Sequence, residues 1–182
     1  MALLPNAKDY YAERARNVRI RDVTDYFKTL GYDPVIFDLR NYKTGRAIKK
    51  TLEQFDFIWA TGGNTFILRY EMQKSGFDTI IKQLLDGGKI YGGDSAGACV
   101  AGNSLTGIEF ADDPEFSEGV EWQGLKLIDK YILPHVGSTG FGSGIEEARE
   151  LHKNDQTLLE LTDTQAVVVN GNDVKIVNAS LA

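Results

Sequence analysis

Cysteine and histidine are scarce in this sequence, and their scarcity limits the chemistry that the chain can support. There is one cysteine, Cys99, and there are two histidines, His135 and His152, among 182 residues. A single cysteine cannot form a disulfide within the chain, and so few thiolate and imidazole groups do not support a zinc cluster. We therefore predict a protein that uses neither a metal nor a cofactor.

Long hydrophobic runs and an excess of basic residues are also missing. No apolar run approaches the roughly 18 to 20 residues needed to span a bilayer, and the N-terminus has no basic-then-apolar signal. The net charge of −6 argues against general affinity for nucleic acid. With 42% hydrophobic and 25% charged residues, the composition is that of a soluble globular protein. We expect a cytoplasmic location, with no membrane or nucleic-acid partner.

What the chain does contain is an alternation of short apolar strands and longer helical stretches. Strands are predicted near residues 2–5, 34–39, 57–60, 89–91 and 131–134, and helices near 8–30, 44–55, 65–72, 77–85 and 145–153. Such alternation predicts an α/β fold, with a mostly parallel sheet covered by helices on both faces. Residues 166–177 predict a C-terminal hairpin around an Asn-Gly-Asn turn. We expect a single domain over residues 1–182.

Residues 93–97, Gly-Asp-Ser-Ala-Gly, fit the G-x-S-x-G pattern of a nucleophile elbow. A serine on a strained strand-to-helix turn needs glycines where the backbone is crowded or leaves ordinary φ/ψ space. Ser95 would then be exposed above the sheet, with the Ala96 amide at the helix N-terminus facing a developing oxyanion. The alternative is a glycine-rich turn with Ser95 as N-cap, and the five residues alone favour neither.

Two other stretches with side chains suited to catalysis also follow predicted strands. Gly62, Gly63 and Asn64 come after residues 57–60, and His135 comes after residues 131–134. The carboxyl ends of parallel strands lie on one edge of the sheet, where sites of α/β proteins form. The agreement of three strand ends is stronger evidence for a site than any one motif.

A serine nucleophile needs a base, and His135 is the better of the two candidates. His152 lies in a charged helical stretch, where a solvated surface position is expected. A carboxylate should orient the imidazole, and the residues leave that choice open. The candidates are Asp112, Asp113 and Asp163.

Gly62 and Gly63 can bring a bare backbone amide close to a substrate carbonyl, completing an oxyanion hole with Ala96. The alternative is a strand-to-helix turn with Asn64 or Thr65 as N-cap. Asp94 could repel an anionic substrate or bond to a loop, and both readings stay open. Cys99 lies one helical turn after Ser95 and is expected in the core.

Together, residues 60–66, 93–98 and 133–135 resemble the peptidase E family of serine peptidases, which includes cyanophycinases. The resemblance implies a glutamine amidotransferase-like fold and hydrolysis of dipeptides with an N-terminal aspartate. It implies Ser95 as nucleophile, His135 as general base, and the amides of Gly63 and Ala96 as oxyanion donors. Family members carry an acid shortly after the serine, which falls on Asp112 or Asp113, and only some carry a later one near Asp163.

The resemblance has two departures. Relatives begin with a further strand before the segment at residues 2–5, and this sequence lacks it. Its loss would expose backbone and apolar groups, so we expect either that the sequence is shortened or that the chain compensates, for which a homodimer is one route. The loop at residues 137–144 is also unusually rich in glycine, which bears on the aspartate preference.

We expect a small-peptide substrate, with Arg69 and the acids around Asp112 available to bind its charged groups. Two alternatives to the dipeptidase are a cyanophycinase-like hydrolase of aspartyl polymers and a catalytically silent homologue that binds a ligand or partner.

Overall fold

The structure, a computed structural model, describes residues 1–179, so the last three residues of the predicted domain lie outside the described part. The strands are β1 Ala2–Leu4, β2 Val35–Ile36, β3 Phe57–Ala60, β4 Ile90–Gly93, β5 Tyr131–Leu133, β6 Leu158–Glu160, β7 Gln165–Asn170 and β8 Asp173–Asn178. The α-helices are α1 Glu13–Thr29, α2 Gly45–Leu52, α3 Thr65–Ser75, α4 Ile81–Asp86, α5 Ala96–Cys99 and α6 Gly144–His152. Within residues 1–179 no helix is both long and apolar enough to cross a membrane.

A four-stranded parallel sheet in the order β2-β1-β3-β4 forms the centre of the fold, flanked by helices. The predicted parallel α/β architecture is therefore confirmed. The side chains of β1 are buried, as are Ile58 and Ala60 of β3, and one hydrophobic core extends from β1 to α6. The edge strand β2 has only two residues, because the Asp38 side chain accepts a hydrogen bond from the Arg40 amide and starts a 3-10 turn.

One expectation about the sheet is wrong, because β5 does not continue it. Within the described residues β5 pairs in parallel with β6, a strand that the sequence pattern did not predict. A groove of about 650 Å³, lined by β4 and by Ile132 of β5, lies where a continuous sheet would have placed paired backbone. The C-terminal hairpin is confirmed as the antiparallel pair β7 and β8, and it is largely exposed on both faces.

The first helix begins later than predicted, at Glu13, and this difference bears on the site. Residues 6–8 form a short 3-10 turn, stabilised by Asn6, whose side chain accepts from the Leu39 amide and donates to Asp9 and Asp38. The segment between β1 and α1 is therefore a loop over the carboxyl end of the sheet, and Lys8 lies within it.

Candidate active site

Ser95 lies at the turn between β4 and α5 in a conformation that side chains rarely adopt. Its backbone has φ 50° and ψ −111°, in a strained region for any residue with a Cβ. The flanking glycines are required by packing. A Cβ on Gly97 would lie 2.1 Å from the Ala60 oxygen, and one on Gly93 would lie 2.4 Å from the Gly97 carbonyl carbon. The turn thus depends on glycine at both outer positions of the motif.

The structure brings Ser95, His135 and Asp163 together. Ser95 Oγ lies 2.9 Å from His135 Nε2, and His135 Nδ1 lies 2.6 Å from Asp163 Oδ1. An ionised carboxylate only accepts hydrogen bonds, so Nδ1 carries the proton and donates to Asp163. Nε2 is then the acceptor for the Ser95 hydroxyl. This is the order and geometry of a serine-histidine-aspartate triad.

Adjacent strand ends explain how Asp163 reaches the imidazole. His135 follows β5 and Asp163 follows β6, and the two strands are parallel neighbours. The imidazole is also stacked on Phe141, with ring centroids 4.0 Å apart. Asp163 is 54% exposed, and its hydrogen bond with His135 holds the pKa of its carboxyl below the usual value. The leucine-rich stretch at residues 158–161, Leu-Leu-Glu-Leu, was the signal that could have indicated β6 and hence Asp163.

Neither Asp112 nor Asp113 contacts His135. Asp112 Oδ2 accepts from the Thr65 amide at 2.9 Å and from the Thr65 hydroxyl at 2.5 Å, and burial raises the pKa of its carboxyl. The exposed Asp113 caps a short 3-10 turn by accepting from the Glu115 amide. The Asp112 carboxylate therefore stabilises the backbone at the turn after β3, whereas the Asp113 carboxylate stabilises the 3-10 turn at Pro114–Phe116.

The turn after β3 contains the predicted site residues Gly62, Gly63 and Asn64, whose amides and side chains have different partners. Asn64 is buried, caps α3 by accepting from the Phe66 and Ile67 amides, and donates to the Asp113 carbonyl. The Gly62 amide donates to Asp94. The Gly63 amide has no acceptor within residues 1–179. Of the three, Gly63 therefore has the amide available to a bound molecule.

The Ala96 amide likewise has no acceptor in the described part of the chain. It follows Ser95 directly and begins α5, which has only four residues. Because so short a helix has a small dipole, the amide itself is the main electrostatic feature at this position.

A cleft of about 520 Å³ opens beside Ser95 and His135. Its charged lining consists of two cations, Lys8 and Arg19, and three acids, Asp22, Asp94 and Asp112. Arg69 does not line this cleft, since it is buried and bonded to Asp78 and the Gln123 carbonyl. The cations that do line the cleft, Lys8 and Arg19, come from the segment before α1 and from α1 itself.

Asp94 is bonded to the neighbouring strand and turn. Its carboxylate accepts from the Gly62 amide at 2.9 Å and from the Trp59 indole at 2.8 Å. Of the two readings left open by the sequence, the structure therefore supports the loop contact.

The remaining cysteine and histidine lie away from the triad. Cys99 is buried in the core, as predicted, and burial raises the pKa of its thiol. The prediction that His152 is solvated is wrong: its ring stacks on Tyr131 and its Nε2 lies 2.7 Å from the Thr106 carbonyl oxygen.

The α/β fold and the serine-histidine-aspartate arrangement place this protein in a class that includes many hydrolases. The particular family is given by comparison with known proteins. The chain belongs to peptidase family S51, whose family model matches residues 2–177. The resemblance to peptidase E drawn from the three motifs is confirmed.

Curated relatives agree with this assignment. The chain is 31% identical over 134 residues to a peptidase E from Haemophilus influenzae, covering 74% of this chain and 60% of that protein. It is 30% identical over 128 residues to an uncharacterized peptidase from Listeria innocua, covering 70% of this chain and 61% of that protein. The match thus spans about three fifths of the length of these relatives.

Two solved structures share the fold. A candidate peptidase E from Listeria monocytogenes superposes with a TM-score of 0.81 at 24% identity, covering 98% of this chain and 85% of that one. A peptidase from an acI-B1 actinobacterium has a TM-score of 0.74 at 17% identity, covering 99% and 74%. At these identities the comparison supports the architecture.

Proposed function

We propose that this protein is a serine peptidase that cleaves small peptides through an acyl-enzyme intermediate. The observation that carries the proposal is the continuous hydrogen-bonded path from Ser95 Oγ through His135 to Asp163, with distances of 2.9 and 2.6 Å. The family assignment supports it independently. In this proposal Asp163 is the third member of the triad, in place of Asp112 or Asp113.

In the acylation step, Ser95 Oγ attacks the scissile carbonyl carbon while His135 Nε2 takes the hydroxyl proton. Asp163 keeps the Nδ1 proton in place and stabilises the imidazolium that forms. The carbonyl oxygen becomes an oxyanion, for which the amides of Gly63 and Ala96 are the available donors. His135 then gives its proton to the leaving amine, and the C–N bond breaks.

In the deacylation step, water takes the place of the departed amine. His135 removes a proton from this water, which attacks the acyl carbon and regenerates a tetrahedral oxyanion. The proton returns to Ser95 Oγ as the C–O bond breaks, which restores the free enzyme. Water is the only reactant besides the peptide, and Ser95 and His135 carry every proton transfer of the two steps.

We further propose that the preferred substrate is a dipeptide with an N-terminal aspartate. Such a substrate needs a cation for its side chain and an anion for its amino group. The cleft contains Arg19, whose guanidinium lies 4.3 Å from the centre of the Tyr11 ring, and the acids Asp22 and Asp112. A volume of about 520 Å³ suits a ligand of a few residues.

The decisive experiment replaces Ser95 with alanine in the whole chain and measures two properties. One is hydrolysis of Asp-Leu, Ala-Leu and a β-linked Asp-Arg peptide. The other is covalent labelling by a fluorophosphonate probe, which reports an activated serine. We expect Ser95→Ala to remove both labelling and hydrolysis, because within residues 1–179 no other serine hydroxyl is hydrogen-bonded to the His135 ring. The matched control, Ser104→Ala, should retain both.

Each other outcome has a distinct meaning. Hydrolysis that persists in folded Ser95→Ala would overturn the mechanism. A folded wild-type chain that neither reacts with the probe nor cleaves any peptide would point to the silent, ligand-binding homologue. Cleavage of the β-linked peptide in preference to Asp-Leu would replace the dipeptide proposal with a cyanophycinase-like one.

A further inference from the structure

Lys8 is a buried cation beside the candidate nucleophile, and the triad does not use it. The residue is only 8% exposed, and its ammonium donates a 2.7 Å hydrogen bond to the carbonyl oxygen of Gly62 in a buried setting. A buried lysine is costly to desolvate, so it normally has a specific partner. Here that partner is a neutral backbone carbonyl at the edge of the cleft.

The hydrogen bonds of the turn after β3 show what this contact does. Among the five consecutive amides of residues 61–65, four donate to groups of the protein. These acceptors are the Leu4 carbonyl for Thr61, Asp94 for Gly62, the Ala7 carbonyl for Asn64, and Asp112 for Thr65. The Gly63 amide is the exception within residues 1–179. A turn held this completely therefore leaves one donor for an external acceptor.

The free amide and the Lys8 contact belong to the same peptide group. The Gly62 carbonyl and the Gly63 N–H are the two ends of one planar trans peptide, so they point in opposite directions. A cation on the carbonyl fixes the plane of this peptide. It also draws electron density toward the oxygen, which makes the N–H a stronger donor.

The loop that carries Lys8 is itself held against this turn. A Cβ on Gly63, where φ is +148°, would lie 2.2 Å from the Ala7 oxygen, so the two backbones are in direct contact. Asp94 binds the Gly62 amide and also lies near the Lys8 ammonium, where its charge favours the protonated lysine. Gly62 is thus held at both ends, because its amide donates to the Asp94 carboxylate and its carbonyl accepts from the Lys8 ammonium.

We propose that Lys8 is a positioning residue of the oxyanion hole, holding and polarising the Gly62–Gly63 peptide so that the Gly63 amide binds the oxyanion. The inference rests on the proposed serine peptidase function. It differs from a role in binding a substrate carboxylate, which would make Lys8 specific for acidic substrates.

The first test compares Lys8→Met with Lys8→Arg and with the control Lys82→Met, an exposed lysine of α4. The measurements are kcat and KM for Asp-Leu and the labelling rate with the fluorophosphonate, which has no acidic group. For Lys8→Met we expect kcat and the labelling rate to fall about 10- to 100-fold. This loss is smaller than the roughly 10²- to 10³-fold loss that follows removal of an oxyanion donor itself. KM should change by less than about twofold. Lys8→Arg should recover most of the loss.

A raised KM for Asp-Leu with kcat and labelling unchanged would overturn the proposal and assign Lys8 to the substrate carboxylate. If the wild-type protein neither cleaves Asp-Leu nor reacts with the probe, the result contradicts the proposed serine peptidase function, and not the role of Lys8 within it.

The second test does not depend on activity. In ¹⁵N-labelled protein, the Gly63 amide proton should move upfield in Lys8→Met and return in Lys8→Arg, and an unchanged resonance would overturn the proposal.

A pH profile adds a readout that a purely structural role would not move. Burial lowers the pKa of Lys8, Arg19 lowers it further, and Asp94 opposes the shift. The charge of Lys8 is therefore lost at lower pH than that of an exposed lysine. We expect the kcat of the wild-type protein to fall as pH rises through the pKa of Lys8. The arginine of Lys8→Arg stays charged in this pH range, so the kcat of that variant should not fall. The same fall of kcat in Lys8→Arg would contradict the role of Lys8. The other ionisable groups lining the cleft are Tyr10, Tyr11, Asp22, Asp112 and His135.

Discussion

The two halves of the site are built differently. The nucleophile half consists of β1, β3, β4 and the turns that follow them, and the base half consists of β5, β6 and the residues that follow them. In the nucleophile half, glycine is required because a Cβ added at Gly97 would lie only 2.1 Å from the Ala60 backbone oxygen. In the base half, His135 is held by an acid that is 54% exposed and by stacking on Phe141.

This difference predicts what a substitution in each half should change. The glycine turns of the nucleophile half are closely packed, so a larger side chain there should damage folding as well as activity. The base half depends on a hydrogen bond near solvent, so a change there should alter catalysis while the fold survives. Substitutions in the two halves should therefore separate stability from turnover.

The largest effect is expected from Asp163→Asn. An amide in this position can donate to Nδ1 and favour the wrong imidazole tautomer, so kcat should fall about 10³- to 10⁴-fold, or about 4 to 5.5 kcal/mol in the barrier. The unfolding midpoint in urea should change little. Asp113→Asn, which can still cap its turn, is the matched control and should leave kcat nearly unchanged. Equal losses in both variants would contradict the assignment of Asp163.

A smaller effect, on stability, is expected from Gly97→Ala. The added methyl would lie 2.1 Å from the Ala60 oxygen, so the strand and helix must move apart, at a cost of about 3 kcal/mol. Urea unfolding gives this difference directly. Gly140→Ala in the base half is the control, since its nearest neighbour to the added carbon is 3.7 Å away. If both variants are as stable as wild type, the tight packing around Ser95 is not what holds the turn.

The smallest effect is a pH dependence of opposite sign in the two halves. The pKa of Asp163 is lowered by its hydrogen bond with His135, so its stabilising contribution is present above the unfolded pKa and is lost as pH falls through the folded one. The pKa of Asp112 is raised by burial, so its contribution is present at low pH and is lost as pH rises through the folded pKa. Relative to wild type, Asp163→Asn should lose stability and Asp112→Asn should gain it as pH rises.

Urea unfolding of the three proteins between pH 3 and 7 measures this difference. Two variants that change in the same direction would mean that the environments of the two acids are alike.

Local patterns were enough to predict much of the nucleophile half. Continuous apolar residues indicated β3, and glycine spacing indicated the turn around Ser95, because both patterns are carried by residues that are neighbours in sequence. The limits of α1 could not be predicted, since Asn6 takes its partners from residues more than 30 positions away. The pairing of β5 was missed for a similar reason: its partner β6 lies beyond an intervening helix.

By itself, the sequence determined the parallel α/β class, the glycine-flanked serine turn and the family. Local backbone constraints and hydrophobic spacing encode these features. Only the tertiary structure decided which acid meets His135. Both Asp112 and Asp163 are aspartates that the sequence offers as partners, but only Asp163 follows β6, the strand that pairs with β5. Tertiary structure likewise brought Lys8 to the Gly62 carbonyl across 54 residues of chain. Such long-range contacts depend on how strands order themselves in space, which no local pattern records.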